Sequence, residues 1–351
     1  MKFAFIPYTL QFRFRAITSR SVMTEKTTYF IVAYDDICPK RYGVGECALF
    51  KGLSADDRTD YEEKLQRLCA DPSTEISGFS SIHFGVETAI NDLANGGRRI
   101  IFPSKSLDEN CPVKINGLIW MGGKNEMMSR IRKKIDEGFH CVKLKIGGLD
   151  FDDELQIIKS IRDTYSTDVL EIRLDANGAF SPSDALSRLD KLSRFGIHSI
   201  EQPIRQGQWK EMADICRQSP IPIALDEELI GVSTERQCDL LDIIKPQYII
   251  LKPSLCGGFS DAEKWISAAE QKGIKCWITS ALESNVGLNA IAQFAMKAAE
   301  CHSNILSTQG LGTGNLFRNN IPSPLTTNGE YLTYDNTKKW DFESLTTILP
   351  H

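Results

Sequence analysis

Six charged residues define the chemistry this sequence could perform. Lys143 and Lys145 close one apolar run, Asp175, Glu201 and Asp226 close three others, and Lys252 closes a fifth. Asp175 to Glu201 spans 26 positions, Glu201 to Asp226 spans 25, and Asp226 to Lys252 spans 26. A strand, a helix and their connections fill about that length, so the charges recur at one point of a repeating βα unit and should converge in space. Three carboxylates at one rim repel each other unless a cation joins them. Oxygen-only ligands select Mg²⁺, with Mn²⁺ as the alternative, over zinc. Lys143 and Lys145 share a strand face because side chains alternate, and Lys252 comes from across the site. Clustered ammonium groups beside a metal favour the neutral amine, which can accept a proton near pH 7. The combined chemistry is removal of a proton next to a substrate carboxylate while a metal balances the charge that builds there. Taken singly, each acid reads as a solvated loop charge, Asp226, Glu227 and Glu228 as a charge run, and the lysines as salt-bridge partners of the same acids. The shared register is what sets those readings aside.

The elements that must position these residues follow from periodicity. Apolar, β-branched runs over Val113–Ile119, Cys141–Ile146, Val169–Leu174, His198–Ile200, Ile221–Leu225, Tyr248–Leu251, Lys275–Thr279 and Asn304–Ser307 predict eight strands. Amphipathic helices are expected between them, including Asn125–Glu137, Asp152–Thr164, Pro182–Phe195, Phe259–Gln271 and Asn285–Ala299. Alternating strands and helices suggest an α/β fold with a TIM-type barrel over 111–320. A doubly wound open sheet competes, but no glycine-rich dinucleotide loop follows Ile119. Residues 1–110 mix strand signals at Thr27–Tyr34 and Tyr42–Cys47 with helices over Arg58–Cys69 and from Ser80 and Ser81, the candidate caps, to Gly96. This predicts a small α+β domain, with the tail 321–351 returning to it.

A length of 351 residues, 42% hydrophobic and 25% charged, fits a large barrel or two domains and excludes extended disorder. The net charge of −5 lacks the basic excess that binds nucleic acid or an anionic membrane, so a small-molecule carboxylate is the expected partner. No segment reaches membrane-spanning length, and the N-terminus lacks the continuous apolar core of a secretory signal, which predicts a cytoplasmic protein. The ten scattered cysteines form no Cys-x-x-Cys pair and read as reduced core thiols. The five histidines, His83, His140, His198, His302 and His351, show no ligand spacing and read as structural or surface residues. Gly310, Gly312 and Gly314 could bind an anion through backbone N–H groups or form a plain turn. The sequence leaves the oligomeric state open.

Taken together, Lys143-Leu144-Lys145, Asp175-Ala176-Asn177, Glu201-Gln202-Pro203, Asp226-Glu227 and the run from Lys252 through Gly257 to Gly258 resemble the muconate-lactonizing subgroup of the enolase superfamily. The resemblance spans nearly the whole chain and implies a (β/α)7β barrel with an α+β N-terminal capping domain. It implies Asp175, Glu201 and Asp226 as Mg²⁺ ligands, Lys145 as the base and Lys252 opposite it across the substrate. Lys143, Asn177, Gly257, Ser280 and Glu283 are the expected substrate-binding residues, with loops Phe12–Ser19 and Phe50–Ser54 setting preference. Epimerases of the subgroup usually carry an Asp-x-Asp pair after the eighth strand, where this chain has Ser307, Thr308 and Gln309. That difference, with Ser280–Ser284 and Thr308–Thr313, favours a carbon–oxygen lyase that expels water. Racemisation or epimerisation of N-acyl amino acids or dipeptides is the first alternative. A non-catalytic acid-binding barrel and a Schiff-base aldolase are more distant ones.

Overall fold

A computed structural model describes residues 1–17, 22–38 and 40–350. Thr18 and Ser19 of the first expected loop, and His351, lie outside the described residues. The chain opens with β1 (Lys2–Ile17), β2 (Val22–Tyr34) and β3 (Tyr42–Cys47) in an antiparallel sheet of order β1-β2-β3. Two helices, α1 (Tyr61–Ala70) and α2 (Ser80–Ala94), pack on it through Tyr61, Leu65, Ile82 and Ala89. Strand β3 and helix α2 approach backbone to backbone: a Cβ on Gly43 or Gly45 would collide with the carbonyl of Ala89 or Gly85, so only glycine permits this contact. Neither Ser80 nor Ser81 caps α2. Phe79 stands at the cap position, and the Ser81 hydroxyl donates instead to Asp56 at 2.7 Å.

After the short α3 (Lys105–Asp108), the run expected as one strand over Val113–Ile119 divides. Strand β4 (Val113–Lys114) joins the tail strands β12 (Leu325–Asn328) and β13 (Tyr331–Tyr334) in a separate antiparallel sheet. Strand β5 (Gly117–Ile119) begins the barrel. Then follow α4 (Lys124–Asp136), β6 (Cys141–Lys145), α5 (Phe151–Thr164), β7 (Glu171–Asp175), α6 (Pro182–Ser193) and β8 (Ser199–Glu201). The series continues with α7 (Trp209–Gln218), β9 (Ile223–Leu225), α8 (Thr234–Ile244), β10 (Tyr248–Leu251), α9 (Gly258–Gln271), β11 (Lys275–Ile278) and α10 (Asn285–Cys301). Strands β5 to β11 form one parallel sheet in sequential order. The expected eighth strand over Asn304–Ser307 is not a regular strand. This segment and the residues just after it close the curled sheet by single bridges, Ile305 to Cys276, Gly310 to Thr279 and Gln309 to Ile115. The result is a TIM-type barrel with a preceding region of mixed strands and helices, and the main apolar core lies between its strands and outer helices.

Two acids from the first hundred residues reach the starts of barrel helices. Glu46 of β3 accepts from the Ser284 and Gly287 N–H groups at the head of α10, each at 3.0 Å, and Glu87 of α2 accepts from the Phe259 and Ser260 N–H groups of α9 at 2.5 and 3.2 Å. Anions are favoured there because the first N–H groups of a helix have no intrahelical partner. The tail's Ile321 and Leu345 pack with Phe30, Val32 and Val44 of the first sheet.

Candidate active site

Strand register gathers the six charges. Lys145 pairs in register with Asp175, and Asp175 with Glu201, on adjacent strands β6, β7 and β8, while Asp226 and Lys252 directly follow β9 and β10. Both acids at 175 and 201 are the last residues of their strands, one position later than the sequence pattern suggested. The three lysines line one cavity of about 250 Å³ at the C-terminal end of the strands, and the acids lie buried behind them.

Lys143 Nζ donates to Asp175 Oδ2 at 2.9 Å and Glu201 Oε2 at 2.7 Å; Lys145 Nζ donates to Asp175 Oδ2 and Asn177 Oδ1, both at 2.8 Å. Lys252 Nζ pairs with Asp226 Oδ2. Asn177 in turn donates to Glu227 at 2.9 Å. The salt bridges weighed as an alternative role for the lysines are therefore present. Burial alone would lower the Lys143 and Lys252 pKa values. Asp175 and Glu201 around the first, and Asp226 and Glu201 around the second, outweigh burial and hold both above the ordinary lysine range. For Lys143 and Lys252 this reverses the lowered pKa expected of clustered lysines, because carboxylates face both ammonium groups directly. Burial would raise Asp175, but Lys143 and Lys145 hold it well below the usual carboxylate range. Burial and then Asp175 push Glu201 the other way, above its usual range.

Among the described residues, no three Asp, Glu, His or Cys side chains are gathered closely enough to hold an ion as they stand. The cause is visible in the ion pairs, since each acid is turned toward an ammonium. Two observations nevertheless fit a hard cation here. The donors are all oxygens, and Glu201 Oε1 is buried without a hydrogen-bond partner among the described residues.

Residues 126–334 match the family model described as enolase C-terminal domain-like. The chain belongs to the enolase superfamily. It is 44% identical to an o-succinylbenzoate synthase of Desulfotalea psychrophila over 92% of this chain and 96% of that protein. The crystal structure of MenC from Desulfotalea psychrophila matches with a TM-score of 0.83 at 41% identity, covering 95% of this chain and 99% of that one. A dipeptide epimerase from Enterococcus faecalis, complexed with Mg and the dipeptide L-Leu-L-Tyr, matches with a TM-score of 0.80 at 17% identity over 95% and 96% of the two chains, a likeness of fold.

In this superfamily member Lys143, Asn177 and Ser280 line the cavity, and Phe50 to Leu53 of the second expected loop cover it. Glu283 and Gly257 stand off the cavity lining. Glu283 is fully buried and accepts from the Ser254 and Ser280 hydroxyls at 2.6 and 2.5 Å, so it joins the loops after β10 and β11. Gly257 heads α9 with a positive φ of 91°, and its carbonyl accepts from His83 Nδ1 at 2.6 Å. Gly310 and Gly312 also line the cavity, while none of the histidines among the described residues does.

Sequence reasoning missed the apolar wall of Leu118, Trp120 and Leu282, and the floor made by Trp277 with the Arg173 guanidinium 4.7 Å from its ring. Leu118 and Trp120 share the period-two parity of an inward face, a signal that was available. It also missed two groups that hold the site from behind. Glu154 Oε1 accepts from the Gly147, Gly148 and Leu149 N–H groups at 2.6, 3.1 and 3.2 Å, fixing the loop that follows Lys145. Gln202 Oε1 accepts from the Asp226 N–H at 3.3 Å, tying the end of β8 to that of β9.

Proposed function

We propose that this chain carries out the o-succinylbenzoate synthase reaction, the Mg²⁺-dependent syn dehydration of 2-succinyl-6-hydroxy-2,4-cyclohexadiene-1-carboxylate to 2-succinylbenzoate in menaquinone biosynthesis. One observation carries the reading: lysines from β6 and from the end of β10 face the same cavity, with three carboxylates from the intervening strands behind them. The relative from Desulfotalea psychrophila, similar over nearly its whole length, supports this outcome among those open to the superfamily.

Lys145 removes the proton alpha to the ring carboxylate and returns it to the departing hydroxyl on the same face, so water leaves and the ring becomes aromatic. Lys252 faces the ring from the other wall, and its ammonium steadies the negative charge that spreads through it. Asp175, Glu201 and Asp226 would hold Mg²⁺, or Mn²⁺ in its place, a reading supported by the Mg of the Enterococcus faecalis epimerase. When bound, the cation supplies positive charge to the substrate carboxylate. Leu118, Trp120, Phe50, Leu53 and Leu282 give the ring an apolar wall that excludes water.

Epimerisation of dipeptides is the second reading, and the closing segment disfavours it. Gln309 is buried with its oxygen accepting from the Ile278 N–H at 2.7 Å, so it seals the barrel and offers no carboxylate to a substrate amine. Purified protein with Mg²⁺ is expected to aromatise the cyclohexadiene substrate, to stop when the metal is chelated and to resume when Mg²⁺ returns. Deuterium exchange into a dipeptide panel without dehydration of the cyclohexadiene would replace the proposal with the epimerase reading. No helix among the described residues is long and apolar enough to cross a membrane.

A further inference from the structure

One buried cation stands outside the cavity and takes no part in the chemistry above. Lys26 of β2 is 7% exposed and is not among the residues lining the cavity, yet its ammonium ends beside three that are: Phe50, Ala281 and Leu282. It donates to the Ala281 carbonyl at 3.3 Å and to the Leu282 carbonyl at 2.9 Å, and the centre of the Phe50 ring is 5.8 Å from Nζ. No other donor among the described residues reaches either carbonyl. A buried ammonium is costly, and a methionine could occupy the same space without that cost. What methionine lacks is the donors.

Leu282 is also where the backbone is strained. Its φ is +64°, a left-handed value that glycine adopts freely and a larger residue holds only when its surroundings enforce it. On the N–H side the turn is held by its own loop, because the Ala281 N–H donates to Glu283 Oε2 at 2.6 Å and the Leu282 N–H to Ser280 Oγ at 3.1 Å. On the carbonyl side it is held by Lys26, from the first sheet. The turn so fixed sets the Leu282 side chain in an apolar cluster with Leu10, Phe12 and Trp120 at the cavity wall. We infer that Lys26 is a positioning residue for the substrate cavity: its ammonium keeps the 281–282 turn left-handed, and thereby keeps Leu282 in the wall against which the substrate ring packs. This rests on the proposed reaction and adds to it a residue that sets affinity without touching the substrate.

Calorimetry with 2-succinylbenzoate, beside steady-state kinetics, tests the assignment on Mg²⁺-loaded wild type, Lys26→Met, Leu282→Gly and the double variant. Lys26→Met is expected to bind 2-succinylbenzoate about tenfold more weakly, with KM raised by a similar factor and kcat within a few-fold of wild type. Leu282→Gly removes the wall itself, so adding Lys26→Met to it should weaken binding by no more than about twofold further. Should Lys26→Met fail to fold, Lys26→Gln, too short to reach both carbonyls, is expected to show the same tenfold change. A folded Lys26 variant with wild-type affinity and KM, or a double variant in which the two losses multiply in full, excludes Lys26 from this role while the reaction stands. Wild type that neither binds nor dehydrates its substrate overturns the reaction and this assignment together.

Discussion

Two buried clusters of lysine and carboxylate differ in how they are satisfied. At the barrel mouth, Lys143, Lys145 and Lys252 and the three acids lean chiefly on one another, and Glu201 Oε1 has no partner among the described residues. At the seam between the first sheet and α10, Lys26, Glu46 and Glu283 are satisfied by the chain itself. Lys26 donates to the Ala281 and Leu282 carbonyls at 3.3 and 2.9 Å, and Glu46 accepts from Thr28 and Ser284 side chains and from backbone N–H groups. Glu283 accepts from two serines and the Ala281 N–H. Burial lowers the Lys26 pKa and raises that of Glu46. Charge buried among hydrogen bonds from the same chain acts as scaffold. Charge buried against other charges, beside a cavity, is held for a ligand.

Breaking each cluster should show the contrast. The largest effect is expected at the mouth, where Lys145→Ala lowers kcat by about 10²- to 10⁴-fold while the melting temperature stays close to that of wild type. Turnover that survives in a folded variant would remove Lys145 from the role of base. At the seam the effects invert. Glu46→Ala leaves Lys26 and the head of α10 without their anion and should cost about 3 kcal/mol in denaturant unfolding, with kcat of the folded fraction within a few-fold of wild type. A variant as stable as wild type would show that the seam carries no load.

Two smaller effects sharpen the comparison. Glu87→Ala removes only the acceptor for the first N–H groups of α9, and a loss of about 1 kcal/mol is expected, again without a change in kcat. His302 bridges Glu263 and Glu270 at 2.8 Å each, away from the cavity. Burial would lower its pKa, but the two carboxylates outweigh burial and raise it. A histidine whose folded pKa is raised contributes stability that is complete below its unfolded pKa of about 6.5 and is lost as pH rises through the folded value. The stability difference between wild type and His302→Gln should thus be about 1 kcal/mol near pH 6 and shrink toward pH 9. A difference independent of pH would remove the charged bridge.

The chain itself wrote the mouth into its sequence because spacing there is local. One βα unit sets the interval from Asp175 to Glu201 to Asp226 to Lys252, and strand alternation puts Lys143 and Lys145 on one face. The barrel was legible for the same reason, apart from its irregular closure, where Asn304–Ser307 bridges without forming a strand. Five of the ten cysteines are buried, so reading all ten as core thiols overstated their place in the core. Lys26 and Glu46 gave no such signal. Lys26 and Glu46 meet partners in the barrel at sequence separations of more than two hundred residues. Sequence therefore determined which charges recur at each strand end. Tertiary closure decided which polar groups find partners and which are left without one, because hydrogen-bond satisfaction depends on neighbours that only the folded chain supplies.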